Sequence, residues 1–130
     1  MGKIRKFRLI VEKDEKKLWG RVLVHDNLLV DTALTLPALE KKIRKLIVEF
    51  EGFREFELEY AYDLTVFFEQ FDFLNQSKIA EIAGINPGLI RQYSSGHKQP
   101  SRAQVVKIER AIHQLASRLI SVHLSSRLPA

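Results

Sequence analysis

The sequence predicts an α+β fold, with a β-β-β-α-β unit over residues 1–62 followed by an all-helical unit over residues 63–130. Three observations carry that expectation. Up to Tyr62, apolar residues mostly alternate with polar ones, the period of strands, and one stretch after Thr35 changes to helical spacing. From Asp63 the period is helical, cut at short intervals by glycine and proline. The charge is also divided: residues 1–62 hold 13 Lys and Arg against 11 Asp and Glu, whereas residues 75–130 hold 8 against 2.

Phe7, Leu9 and Val11 alternate with Arg8 and Glu12 in a first strand. The polar run Asp14-Glu15-Lys16-Lys17 turns the chain into a second strand over Leu18–Val24, and Leu28–Leu34 reads as a short third strand. Leu36, Leu39, Ile43, Leu46, Ile47 and Phe50 then fall on one face of a helix, with basic residues opposite. Thr35 can cap that helix, Pro37 is harmless in its first turn, and Gly52 ends it. Phe56, Leu58, Tyr60 and Tyr62 alternate with Glu57 and Glu59 in a fourth strand. A core of this size is marginal alone, so the unit is expected to lean on the other half or on a second copy. A Phe-rich helix over Asp63–Phe71 follows without a flexible linker, with Phe67, Phe68 and Phe71 as core.

The most informative stretch is AEIAGINPGLIRQYSSG, Ala80 to Gly96. Asn75 caps a helix over Gln76–Ala83 whose inward side is Ile79, Ile82 and Ala83. Gly84 supplies a left-handed stop, Ile85 plugs the turn, Asn86 caps the next helix and Pro87 opens it. Ile90 and Tyr93 point inward, while Gly88, Arg91, Gln92 and Ser95 share the opposite face. Gly96 ends that helix, Pro100 keeps it from resuming, and Ser101 with Gln104 forms a capping box for the last one.

This outward face carries an amide and a guanidinium but no acid, and between Ile82 and Ile108 the only charges are Arg91, Lys98, Arg102 and Lys107. Such groups bond bidentately to base edges in a major groove: Gln92 can pair with adenine, and Arg91 with guanine or a phosphate. Gln76 and Lys98 are expected to grip phosphates. Asn75, Ser77, Asn86, Leu89 and Arg102 complete the candidate DNA-binding set.

Asn75–Ser101 resembles the helix-turn-helix of the lambda-repressor/Cro (XRE) family. Gln76, Ala80, Gly84-Ile85, Ile90, Gly96 and Pro100 align with that pattern over 27 residues without a gap. The resemblance implies that Gln76 contacts the DNA backbone and that Pro87, Gly88 and Gln92 take base-reading positions. Pro87 and Gly88 stand where the family often has polar residues, which shifts the reading to Gln92, Arg91 and Leu89, the last against a thymine methyl.

Taken with the ending KIERAIHQLASRLISVHL, the chain is similar to HicB antitoxins that carry an XRE-type C-terminal domain, most clearly over about residues 56–124. The stretch HDNLLVDTALT lacks the glycines usual there. The resemblance implies a truncated RNase H-like, HicB-type domain over 1–62 that masks a small mRNA-cleaving toxin. It also implies a lambda-repressor-like domain over 63–130 that represses the operon.

In the last helix, Val105, Ile108, Ile112, Leu115, Leu119 and Val122 follow a heptad spacing. Leu115, Leu119 and Val122 are the expected homodimer contacts, with pairing of dimers into tetramers left open. A two-fold dimer would set two reading helices one DNA turn apart, about 34 Å.

Composition bounds the rest. The chain of 130 residues is 45% hydrophobic and 28% charged, which excludes disorder. It has no cysteine, hence no disulfide framework or thiolate metal site. The N-terminus lacks a signal-peptide pattern and no apolar run could span a bilayer, so a soluble, cytoplasmic protein with no membrane partner is expected. An RNase H-like fold raises metal-dependent nuclease chemistry, with Glu12, Glu57 and Glu59 as carboxylates, but alternating Glu is more often the wet side of a sheet. His25, His97, His113 and His123 show no ligand spacing, and no P-loop or nucleophile elbow occurs. No catalytic residue, metal or cofactor is expected. The sequence thus points to a dimeric repressor of double-stranded operator DNA and to an antitoxin-type autoregulator. The alternative is a protein-masking module whose helix-turn-helix no longer reads DNA.

Overall fold

Two tight hairpins start the fold. In the computed structural model, which describes residues 4–127, β1 (Arg5–Asp14) turns at Glu15-Lys16 into β2 (Lys17–Val24). β2 turns at His25-Asp26 into β3 (Asn27–Ala33). His25 and Asp26 both hold positive φ, 48° and 65°, the mirror-image turn whose twist matches a two-residue hairpin. Neither is glycine, so the left-handed backbone carries a strain of about 1–2 kcal/mol per residue that the pairing of β2 with β3 must offset.

Helix α1 (Leu36–Glu51) then returns the chain to β4 (Phe56–Tyr62), which lies beside β1 in parallel. The result is a mixed sheet in the order β3-β2-β1-β4. Thr35 Oγ1 accepts from Ala38 N at 3.3 Å, and Gly52 stops α1 at φ 73°. Leu39, Ile43 and Ile47 of α1 are buried with Leu9, Val11, Val22 and Val24 of the sheet. Gly20 lets α1 approach closely: a Cβ there would meet Leu39 methyls at 3.0 and 3.1 Å and a Leu9 methyl at 3.1 Å.

Phe50 departs from the expected stripe, being 68% exposed. Gly52 swings the chain back, and Phe53 takes the inward place, edge-on to Phe7 at 5.3 Å and to His25 at 5.1 Å. The Tyr60 hydroxyl donates to Glu40 on α1. Burial pushes the Tyr60 phenol well above its usual pKa, and the bond to Glu40 adds to the shift.

The face of the sheet turned away from the core with α1 presents large apolar side chains. Trp19, Leu23, Leu28 and Val30 are exposed on it. Its charges stand in opposite pairs along the strands: Lys6 beside Glu57, Arg8 beside Glu59 and Asp14 beside Lys17, with Arg21 bonded to Glu12 at 2.8 Å. At the β3 edge, Lys42 Nζ donates to Thr32 O at 2.8 Å, and Thr32 N donates to Asp31 Oδ1 at 2.8 Å.

The Phe-rich helix α2 (Leu64–Gln70) belongs to this first unit, which ends at Asp72 and not at the expected residue 62. Asp63 explains the shift. Its Oδ1 caps α2 by accepting from Val66 N at 2.8 Å, and its Oδ2 accepts from Lys13 N at 3.0 Å. Its own N–H donates to Val11 O at 3.0 Å, tying the start of α2 to the end of β1. Val66 joins the sheet core and Phe68 is buried, while Phe67 and Phe71 stack at 4.9 Å.

The second unit begins at Phe73 and holds α3 (Gln76–Ala83), α4 (Pro87–Ser94) and α5 (Arg102–Ile120). α3 packs against both α4 and α5. Ile79, Ala80, Ile85, Ile90, Tyr93, Ile108 and Ala111 are its buried residues. Ile82, expected inside, is exposed, because the inward stripe of α3 runs through Ile79 and Ala80. No helix among the described residues is long and apolar enough to cross a membrane.

Candidate nucleic-acid interface

Local bonds fix the α3–α4 pair almost residue by residue. Asn75 Oδ1 accepts from Lys78 N at 3.1 Å and starts α3. Gly84 ends it at φ 72°, and Ile85 N donates to Ala80 O at 2.9 Å, closing the helix end. Ile85 is buried in the turn. Asn86 Oδ1 accepts from Gly88 N at 2.7 Å, and Pro87 occupies the first position of α4. The two helices are therefore joined by three residues, Gly84-Ile85-Asn86.

On α4, Ile90 and Tyr93 are buried, whereas Arg91, Gln92 and Ser95 are exposed. Gly88 and Leu89 are half-buried. A Cβ on Gly88 would lie 3.1 Å from Asn86 Oδ1 and 4.0 Å from an Arg91 guanidinium nitrogen. A side chain there would press on the capping oxygen, so glycine suits the turn.

Past α4, Gly96 adopts φ 79° and Lys98 N donates to Gln92 O at 3.1 Å, folding the loop back onto the end of α4. Lys98 and Arg102 are exposed. Ser101 Oγ accepts from Gln104 N at 3.2 Å and starts α5. Neither Arg91, Lys98 nor Arg102 forms an ion pair among the described residues, whereas Lys78 pairs with Glu81 at 3.3 Å.

Gln76 is half-buried, and its Oε1 shares the Ser94 hydroxyl proton with the Arg91 carbonyl, each 3.0 Å from Ser94 Oγ. This bond joins the start of α3 to the end of α4, so the pair is closed at the end opposite its turn. Ser94 carries no weight in the sequence, because an interaction spanning 18 residues has no local signal. The amide nitrogen of Gln76 keeps two N–H donors at a helix N-terminus, where partial positive charge gathers. Asn75, Ser77 and Asn86 are exposed beside it.

The expected dimer contacts divide along α5. Leu115 is half-buried, Leu119 is 68% exposed, and Val122 lies beyond the helix, which ends at Ile120 with Ser121 as its cap. The heptad spacing therefore overran the helix by two residues. Ile120 and Leu124 are exposed as well, leaving an apolar end on the unit.

Glu57 and Glu59 are exposed, with Lys6 and Arg8 opposite them. No three His, Asp or Glu residues cluster as metal ligands among the described residues. Compared with family models, curated proteins and solved structures, the chain has no match.

Proposed function

We propose that the chain is a sequence-selective, DNA-binding repressor acting as a homodimer, an antitoxin-type autoregulator of its own operon. One observation supports this most: the exposed face of α4 offers Arg91 and Gln92 with no acid, on a helix anchored at both ends. In this reading the second unit is a lambda-repressor-like helix-turn-helix. The first is a HicB-type unit that meets a small mRNA-cleaving toxin. The exposed Leu119, Ile120 and Val122 favour a second copy at the end of α5.

Binding to the promoter upstream of its own gene tests the reading. An affinity no better than for random duplex would leave only the protein-masking alternative. On that promoter, Gln92→Ala is expected to cost about 1–3 kcal/mol, with little change on random DNA. Lys98→Ala should weaken all duplexes alike and lower the slope of log K against log salt by about 1. An equal loss on both sequences would remove Gln92 as a reader, and an unaltered slope would remove Lys98 as a phosphate contact.

Ser94 acts in this scheme by holding Gln76. An amide that bonds a phosphate releases no counterion of its own, so Ser94→Ala should weaken every duplex while leaving the salt slope in place. In a Gln76→Ala background the same change should cost nothing further. Additive losses in that cycle would show that Ser94 works independently of Gln76.

A further inference from the structure

We infer that the open face of the sheet is a two-fold interface, made with the same face of a second copy of this chain. Trp19, Leu23, Leu28 and Val30 expose large apolar surfaces there, at 44%, 61%, 61% and 45%. Sheet faces left so apolar are normally covered. An open groove of about 560 Å³ flanks Trp19 between Glu12, Arg21, Leu28 and Val30.

The charges choose the occupant. Each basic residue on this face stands next to an acidic one, so the face has no net sign to attract a polyanion or a strongly charged partner. A two-fold interface must be complementary to itself, and this one is. Ile10, Arg21 and Val30 stand at one level across three strands. A two-fold axis crossing the strands at that level sets Trp19 over the partner's Leu23, Val30 over the partner's Val30, and Glu12 over the partner's Arg8. Arg21 faces its own copy, but Glu12 already neutralises it at 2.8 Å. Packing is face to face, about 10 Å apart. Pairing through β3 is blocked at Thr32, whose outward C=O and N–H are bonded to Lys42 and Asp31.

This contact is separate from the end of α5, and it requires no DNA binding. Trp19 is the only tryptophan in the chain, so its emission reports on this face alone. The intact chain, diluted without DNA, is followed by tryptophan emission and by sedimentation. Leu28→Glu, Val30→Lys and, as a control at an exposed residue of α1, Phe50→Gln are compared, with circular dichroism and melting to confirm folding. The expected result is emission that shifts to the red as the oligomer dissociates. The midpoint concentration should rise roughly tenfold or more in the two sheet variants, with the emission shift of Phe50→Gln unaltered.

Three results would overturn the proposal. One is water-exposed emission at every concentration. A second is buried emission that ignores dilution in a monomer, which would mean the chain covers its own face. The third is burial only after a protein encoded beside this one is added, which would make the face a docking site for a different chain. Should the promoter assay fail while these shifts occur, the repressor reading falls and the interface stands.

Discussion

Ile90→Ala is expected to destabilise the second unit by about 2–5 kcal/mol. Ile90 is fully buried between the turn and the rest of a core of few residues. Burying so little apolar surface leaves such a unit marginal, and a loss of this size approaches its whole stability. Urea unfolding would show the transition moved or missing, and duplex binding would fall in proportion to the folded fraction. The contrast lies two residues away, where Gln92→Ala exposes no core and should leave the melt unchanged. An Ile90→Ala chain that melts like the parent would mean that α4 is not held by burial. The recognition surface would then need another source of rigidity.

Leu39→Ala should cost the first unit a similar amount, about 2–5 kcal/mol, because Leu39 is fully buried and its methyls fill the space above Gly20. Gly20→Ala tests the same contact from below. The added Cβ would crowd Leu39 and Leu9 at 3.0–3.1 Å, and overpacking of this kind costs about 1–3 kcal/mol. Combined, the two changes should cost less than their sum, since the new methyl enters part of the cavity. Strictly additive losses, read by thermal or urea unfolding, would show that α1 does not rest on Gly20.

Features set by bonds within a few residues were legible in the sequence. Thr35, Asn75, Asn86 and Ser101 each accept an N–H two or three residues on, so the starts of their four helices could be read directly, whereas Asp63, read inside its helix, caps α2 from just before it. β4 is also where alternation put it, at Phe56–Tyr62. Features that depend on distant partners were not. His25-Asp26 contains no glycine, so its two-residue turn is dictated by the pairing of its strands. The Phe-rich helix shows no preference for either half until Asp63 is seen bonded to Lys13, 50 residues away. Phe50 continues a helical stripe on paper, yet nothing in that stripe reveals that Phe53 will displace it. The apolar spacing past Ile120 continues although the hydrogen-bonded helix stops. In the candidate interface, exposure of Arg91 and Gln92 followed from helical phase, whereas the clasp between Ser94 and Gln76 required the fold.

The bonds of Lys42 and Asp31 to Thr32 bear on how this chain behaves when crowded. Fibrils lengthen when one strand templates the next through unclaimed backbone groups, and β3 carries the apolar, proline-free composition that such growth favours. With Thr32 already claimed from both sides, an arriving strand finds only a short run of open rungs. Removing the Lys42 amine while keeping its stem, as in Lys42→Met, would lift that stopper and leave the core intact.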